Sequence, residues 1–255
     1  MMTENRLSGI SQRPGRGSAI RVLAAALLCS AGVNAEVEES FGILGGLPEG
    51  WTAVYSGDAG DAAFSPPEIV HIPGTGNALR LARPGAPSRS AGVFFTADTF
   101  QNVSGSVLVR FETDRLDRAA VLLRARTQAY QPSGYAVILR NSPAEGEEFF
   151  QLGIVDAAET GSSSRGLFGE WADLGRHRFA VDTDYEIRFE IDGDRISAEV
   201  WLAGARPERL GSVTFRDSSF VAAGHIGLRH NSGNTRTAVL FRDFRLTAPS
   251  APHAP

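Results

Sequence analysis

The residues best suited to chemistry here are arginines, a glutamine and a tryptophan set on strand-like runs. Glu199 and Trp201 are two residues apart in the run from Ile196 to Leu202, so carboxylate and indole share a face. Ile196, Ala198, Val200 and Leu202 occupy the other face. An indole on the polar face of a strand can lie against the C–H-rich side of a pyranose, while neighbouring charged groups take the sugar hydroxyls. Arg124 and Arg126 have the same spacing on a second run, and Arg140 and Gln151 lie on two more. Their planar donors suit hydroxyls or carboxylates. If these strands are neighbours, Arg124, Arg126, Arg140, Gln151, Glu199, Trp201 and His230 gather into one carbohydrate-binding groove. The plainer alternatives are an indole tucked under a loop and arginines paired with acidic neighbours. Trp51 reads as core, and Trp171, beside a Gly/Ser-rich loop, as a rim platform.

Catalytic constellations are weaker. Two carboxylates across a cleft would suit glycoside hydrolysis, and Glu186, Glu190 and Glu199 are the candidates. Their alternation with arginine reads instead as an ion-paired strand face. There is no Gly-x-Ser-x-Gly elbow or phosphate loop. His71, His177, His225, His230 and His253 lack the spacing of metal ligands. No catalytic residue is assigned, and no cofactor is required by these patterns.

Period-two alternation defines the elements that must position these residues. Tyr185, Ile187, Phe189 and Ile191 alternate with Glu186, Arg188, Glu190 and Asp192, and Asp192-Gly193 then supplies a tight turn. The run from Tyr185 to Gly204 is therefore a β-hairpin. Further strands are predicted over Trp51 to Tyr55, Glu68 to Ile72, Ala78 to Arg83, Gly92 to Ala97, Ser106 to Thr113 and Ala119 to Thr127. Others follow over Gly134 to Asn141, Glu148 to Asp156, Arg176 to Val181, Gly211 to Asp217, Gly224 to Asn231 and Ala238 to Thr247. The stretch from Ala157 to Gly169 reads as a long loop. Many short punctuated strands without an amphipathic helix indicate an all-β chain, an antiparallel two-sheet jelly-roll β-sandwich forming one domain over 36–247.

Arg6, Arg13, Arg16 and Arg21 precede an apolar run from Val22 to Leu28 and the small residues around Ala35. That order describes a signal peptide over 1–35, so the protein is expected to be secreted or periplasmic. The apolar run falls short of the ~20 residues of a membrane-spanning helix, so no membrane insertion is expected after cleavage. Cys29, the single cysteine, lies within this leader, and Leu28 stands where a lipid-attachment signal wants a small side chain. Without 1–35 the chain carries 21 arginines against 28 acidic residues, a net charge of −7. That balance argues against nucleic acid as a partner. Every basic residue is arginine. Residues 248–255, rich in Ala and Pro, read as a disordered tail.

The order GYAVILR, YEIRFEIDGDRISAEVW, GHIGLRHNSG, VLFRDFRL resembles the second half of concanavalin A-like lectin/glucanase jelly rolls. Laminin-G-like and 3-keto-disaccharide hydrolase-like bacterial domains are similar, and the phrase from Leu47 to Trp51 matches their opening. The resemblance implies a sugar-binding sheet, or else a glycoside hydrolase or polysaccharide lyase; an envelope protein-interaction module is a third class. The Glu-x-Asp-x-x-Glu phrase of its β-glucan-cleaving members is absent. Its lyase members imply roles for Arg124, Arg140, Gln151, Tyr135 and His230, but their Gln-Ile-His and Tyr-x-Lys phrases are missing. It also implies a structural calcium, with Asp243 as the ligand matching by position.

Overall fold

The computed structural model describes residues 35–42, 44, 46–55, 66–82, 90–126, 133–157, 169–232 and 237–248. The expected leader and tail therefore fall almost wholly outside the described residues.

Among the described residues, fifteen antiparallel strands form two sheets. They are β1 (Ala35–Glu39), β2 (Trp51–Tyr55), β3 (Glu68–Ile72), β4 (Gly76–Ala82), β5 (Ser90–Phe100), β6 (Val103–Phe111), β7 (Asp117–Ala125) and β8 (Tyr135–Ser142). The remainder are β9 (Phe149–Asp156), β10 (Gly169–Asp173), β11 (Asp184–Asp192), β12 (Arg195–Leu202), β13 (Glu208–Arg216), β14 (Gly224–Ser232) and β15 (Ala238–Ala248). One sheet runs β13-β12-β11-β6-β15-β4-β3, with β1 added along β15; the other runs β10-β9-β8-β7-β14-β5-β2. Among the described residues no helix is long and apolar enough to cross a membrane.

The alternation read from the sequence decides which face each strand buries. Tyr185, Ile187, Phe189 and Ile191 of β11 turn inward, and Ile196, Ala198 and Val200 of β12 join them. They meet Val121, Leu123, Val137, Leu139, Leu152 and Ile154 from the other sheet in one continuous core. Burying one such side chain contributes roughly 1.5–3 kcal/mol. Aromatic rings lock the layers together: Trp51 packs edge-on against Phe95 and Phe244, and Phe150 contacts both Phe179 and Tyr185. Trp51 is thus core, as its pattern predicts.

Two strands differ from expectation. The segment from Arg176 is a 3-10 turn at Arg176–Arg178, with Phe179 directed into the core. The strand that enters the sheet is β10, the short run GEWAD just before it. The first strand, β1, also went unread because its sequence AEVEE carries charge at three of five positions. It is held by backbone pairing to β15 from Ala35–Ala248 to Glu39–Phe244.

Candidate functional site

The strand order of the seven-stranded sheet sets a polar row across its outer face. Asn231 on β14 lies opposite Arg118 on β7, Arg118 opposite Arg140 on β8, Arg140 opposite Gln151 on β9, and Gln151 opposite Asp173 on β10. Directly opposed residues of an antiparallel pair project to the same side. The inward positions of these strands are filled by Ala119, Val121, Leu139 and Leu152, so this row points away from the core between the sheets, onto a face where Ala120, Leu122, Ile138 and Val155 form a second buried apolar cluster.

Two residues further along, the next row runs Arg229, Ala120, Ile138, Gly153 and Trp171. Gly153 leaves room for the indole: a Cβ there would come within 2.3 Å of Trp171 Cε3. Trp171 reaches over the neighbouring strand, and the Arg140 guanidinium carbon lies 3.7 Å from its ring centroid. Arg140 Nε and Nη2 both donate to Gln151 Oε1, at 3.0 and 2.7 Å, and Phe149 flanks the same guanidinium at 4.6 Å. Burial, then the like charge of Arg118, pushes the Arg140 guanidinium down to about 10. Arg118 is also lowered by burial, against the opposing effect of Asp117. The result is a fixed cation beside a half-buried indole.

Of the residues read from the sequence, this face unites Arg140 and Gln151, with Trp171 at its edge. The others lie elsewhere, so the single groove of seven residues does not assemble. Arg124 has φ +49° at a register shift where β7 pairs with β14. Such a bulge re-aims a side chain. Its guanidinium donates to Gln101 O (2.6 Å), Phe220 O (2.8 Å) and Gly193 O (2.9 Å), binding three loops together. It stands six residues, about 20 Å, from Arg118 along the strand. Arg126 is exposed just beyond the end of β7.

His230 lies between the layers, fully buried, because Ile226, Leu228 and His230 share the inward face of β14. Its Nε2 hydrogen-bonds with Asp117 Oδ1 at 2.6 Å and Thr237 Oγ1 at 3.2 Å. Tyr135 also faces inward, and its hydroxyl donates to Asp217 O at 2.9 Å. A lyase would need Tyr135 or His230 beside Arg140 and Gln151, yet the sheet separates them.

Glu199 and Trp201 occupy the outer face of the opposite, eight-stranded sheet. Trp201 Nε1 donates to Glu199 Oε2 at 3.0 Å, and the Arg188 guanidinium covers the ring at 4.6 Å. An open groove of about 410 Å³ lies alongside, over Arg188, Glu190, Ser197, Glu199 and Thr214. Its charges are matched locally: Glu186 with Arg188, Glu199 with Arg209, and Glu190 with Arg195. The three glutamates proposed as acids thus form the ion-paired strand face.

Asp243 sits at a second bulge, φ +49°, which keeps Phe241 and Phe244 both inward. Its carboxylate pairs with Arg242 Nη1 at 3.0 Å. Calcium takes six to eight oxygen ligands, and among the described residues no group of three or more acidic, histidine or cysteine residues could hold a metal ion. At the position where the resemblance implied calcium, Asp243 is therefore a carboxylate outside any such cluster among the described residues.

Arg118, Asn231 and Asp173 complete the row and Trp171 flanks it from the next one; of these four only Trp171 was singled out from sequence. The available signal was Gly153, a side-chain gap in an otherwise bulky strand, which points to a large neighbour across it.

No family model matches this chain, and no curated protein does. Solved structures do. The exoplasmic/lumenal domain of VIP36 in its Ca2+/Man3GlcNAc-bound form superposes with a TM-score of 0.57 at 12% identity, covering 82% of this chain and 90% of that one. The CBM2 module of an evolved Dit from Lactobacillus casei BL23 phage J-1 gives 0.55 at 13%, covering 87% and 99%. The Bauhinia forficata lectin in complex with GalNAc gives 0.52 at 10%, covering 86% and 100%. At such identities the likeness is one of fold. With two antiparallel sheets in this order, the chain has the concanavalin A-like lectin jelly-roll fold.

Proposed function

We propose that this chain is an exported carbohydrate-binding β-sandwich that holds its sugar on the outer face of the seven-stranded sheet. The observation that carries this reading is the Arg140 guanidinium, stacked at 3.7 Å on Trp171 and tied to Gln151. A donor array already fixed in place loses little side-chain entropy when a ligand arrives. The sugar ring stacks on the exposed part of Trp171, and its hydroxyls meet Arg140, Gln151 and Asn231. The Trp201 face is the weaker candidate because its indole N–H and its carboxylates are already engaged. The basic, apolar and small-residue order of 1–35 supports export. The glycan-bound states of VIP36 and the Bauhinia lectin support a carbohydrate partner.

Glycan-array binding of the purified chain, followed by titration calorimetry, tests this. Trp171→Ala should weaken binding by about tenfold or more, with Trp201→Ala leaving it unchanged. The reverse pattern moves the site to the other sheet, and a silent array refutes the reading. Assaying the same mixtures for reducing sugar or unsaturated product separates a binder from a hydrolase or lyase.

A further inference from the structure

The inward face of the seven-stranded sheet turns polar at one end. Asp117 and Asn141 are directly opposed on β7 and β8, and both are fully buried. They continue the inward positions of Ala119 and Leu139, so they project between the layers. Asp117 Oδ1 is engaged by His230 Nε2 and by the Arg118 N–H, but its Oδ2 has no partner. Asn141 Nδ2 donates to Asp114 Oδ1 at 3.2 Å and to Arg115 O at 3.0 Å. Those two bonds fix the orientation of the amide and leave its Oδ1 bare.

Among the described residues, seven buried side-chain nitrogen or oxygen atoms lack a hydrogen-bond partner, and five of them belong to this corner: Thr113 Oγ1, Asp117 Oδ2, Asn141 Oδ1, Arg176 Nε and His230 Nδ1. A ring of contacts joins their residues. Glu112 N donates to Ala238 O, the adjacent Thr237 bonds His230, His230 bonds Asp117, and Asn141 opposite Asp117 returns to Asp114. Thr113 stands between Glu112 and Asp114 and buries its hydroxyl at the same end. Arg176 Nη2 grips both oxygens of Asp114 at the entrance, where the two side chains are 24% and 49% exposed. Buried polar groups in native interiors are paired with protein or with ordered water. Here the bare atoms are of both kinds, acceptors on Asp117 and Asn141 and donors on Thr113 and Arg176. A cation would answer the acceptors alone and would face the Arg176 guanidinium. Water both donates and accepts, and a buried water makes about three hydrogen bonds.

We infer that this end of the sandwich is a binding site for internal water. One water molecule accepts from Thr113 Oγ1 and donates to Asp117 Oδ2 and Asn141 Oδ1. It bridges the connection leaving β6, in one sheet, to β7 and β8 in the other, and it exchanges with solvent past Asp114 and Arg176. The site is independent of where the chain binds sugar.

High-resolution crystallography of the purified chain, paired with oxygen-17 relaxation dispersion of its water in solution, tests the site. The crystal should show one water at about 2.7–3.2 Å from both Asp117 Oδ2 and Asn141 Oδ1. The dispersion should report a long-lived water whose residence time falls about fivefold in Thr113→Val, which removes one of its hydrogen bonds. Thr113→Ser, which keeps the hydroxyl, should restore it. The crystallographic result stands even if Thr113→Val misfolds. Direct contact between Asp117 Oδ2 and Asn141 Oδ1, with the carboxyl protonated, would overturn the inference. An ion at about 2.3–2.6 Å from the same oxygens would overturn it too. So would a folded Thr113→Val variant with the dispersion of the wild type.

Discussion

Gly153 lies directly across from Trp171 and carries no side chain where the indole rests: a Cβ at that position would be 2.3 Å from Cε3 and 2.4 Å from Cζ3. The close approach aims the ring at Arg140 on the next strand but one. Gly153→Ala should therefore act on the site through Trp171. The added methyl must lift the ring or shift β10, which costs roughly 1–3 kcal/mol in a packed setting. Glycan affinity should fall with it. In a Trp171→Ala background the same change should cost far less stability, because the obstructing ring is gone. Thermal melts of the four members of this cycle check the coupling. Additive effects would mean that Gly153 serves the strand rather than the indole.

Arg124 holds loops rather than ligand. Its three backbone acceptors come from the β5–β6 turn, the β11–β12 turn and the segment before β14. Asn102 Oδ1 joins the same knot, accepting from Arg124 Nη2 at 3.3 Å and from Gly193 N at 3.1 Å. Arg124→Ala strips hydrogen bonds from three part-buried loop carbonyls, each worth about 1 kcal/mol. A loss on the order of 3 kcal/mol is expected in chemical denaturation, with glycan affinity at saturating folded protein unchanged. A variant of normal stability that no longer binds sugar would return Arg124 to the site.

Local alternation made the fold legible and hid the site. The hairpin of β11 and β12 was readable because its apolar face has strict period two and Gly193, at φ +56°, closes the turn. Arg140, Gln151, Glu199 and Trp201, read as outward, do face outward. The same pattern even turned His230 inward with Ile226 and Leu228, despite its place among the expected binding residues. Arg124 broke the pattern because a bulge adds one residue and flips the side chain that follows. Arg140 and Trp201 both face outward, yet on opposite sheets. Local pattern does not encode which sheet a strand joins; that depends on pairings between residues far apart in sequence, such as β6 with β11 and β15. Strand β10 escaped because GEWAD is short, half polar and preceded by glycine and serine.

Between the layers, Asp117 and His230 form a fully buried polar pair at 2.6 Å. Asp117 Oδ1 also accepts the Arg118 N–H at 2.9 Å, which ties the pair to the strand carrying the outward arginine. His230→Leu removes one partner and leaves the Asp117 carboxyl group in the interior. The expected loss is on the order of 2 kcal/mol. Asp117→Asn combined with His230→Leu should recover part of it, since the charged group is then gone. Urea midpoints for the two single variants and the double variant give the interaction directly. Sugar binding at Trp171 should survive in every variant that still folds, because the pair lies on the far side of the sheet.

Asp184 is the acid whose environment predicts a pH effect. Burial acts to raise its pKa, but the hydrogen bonds and charges of Arg110 and Arg242 outweigh it and hold the carboxyl below its ordinary value. Arg110 grips both oxygens, at 2.8 and 2.7 Å, and Arg242 Nη2 reaches Oδ2 at 2.5 Å. These contacts join β6, β11 and β15 across the middle of the eight-stranded sheet. A folded-state pKa below the unfolded value of about 3.9 means that the stabilisation is fully present above that value. It drains away as pH falls through the lower, folded value. Asp184→Asn should therefore cost stability at neutral pH, on the order of 3 kcal/mol, because Arg110 loses its paired carboxylate and Arg242 keeps only Asp243. The gap between wild type and variant should close as the pH is lowered below the folded-state pKa. Denaturation midpoints measured from neutral pH downward would show the two curves converging, whereas a constant gap would mean that Asp184 contributes through packing rather than through its charge.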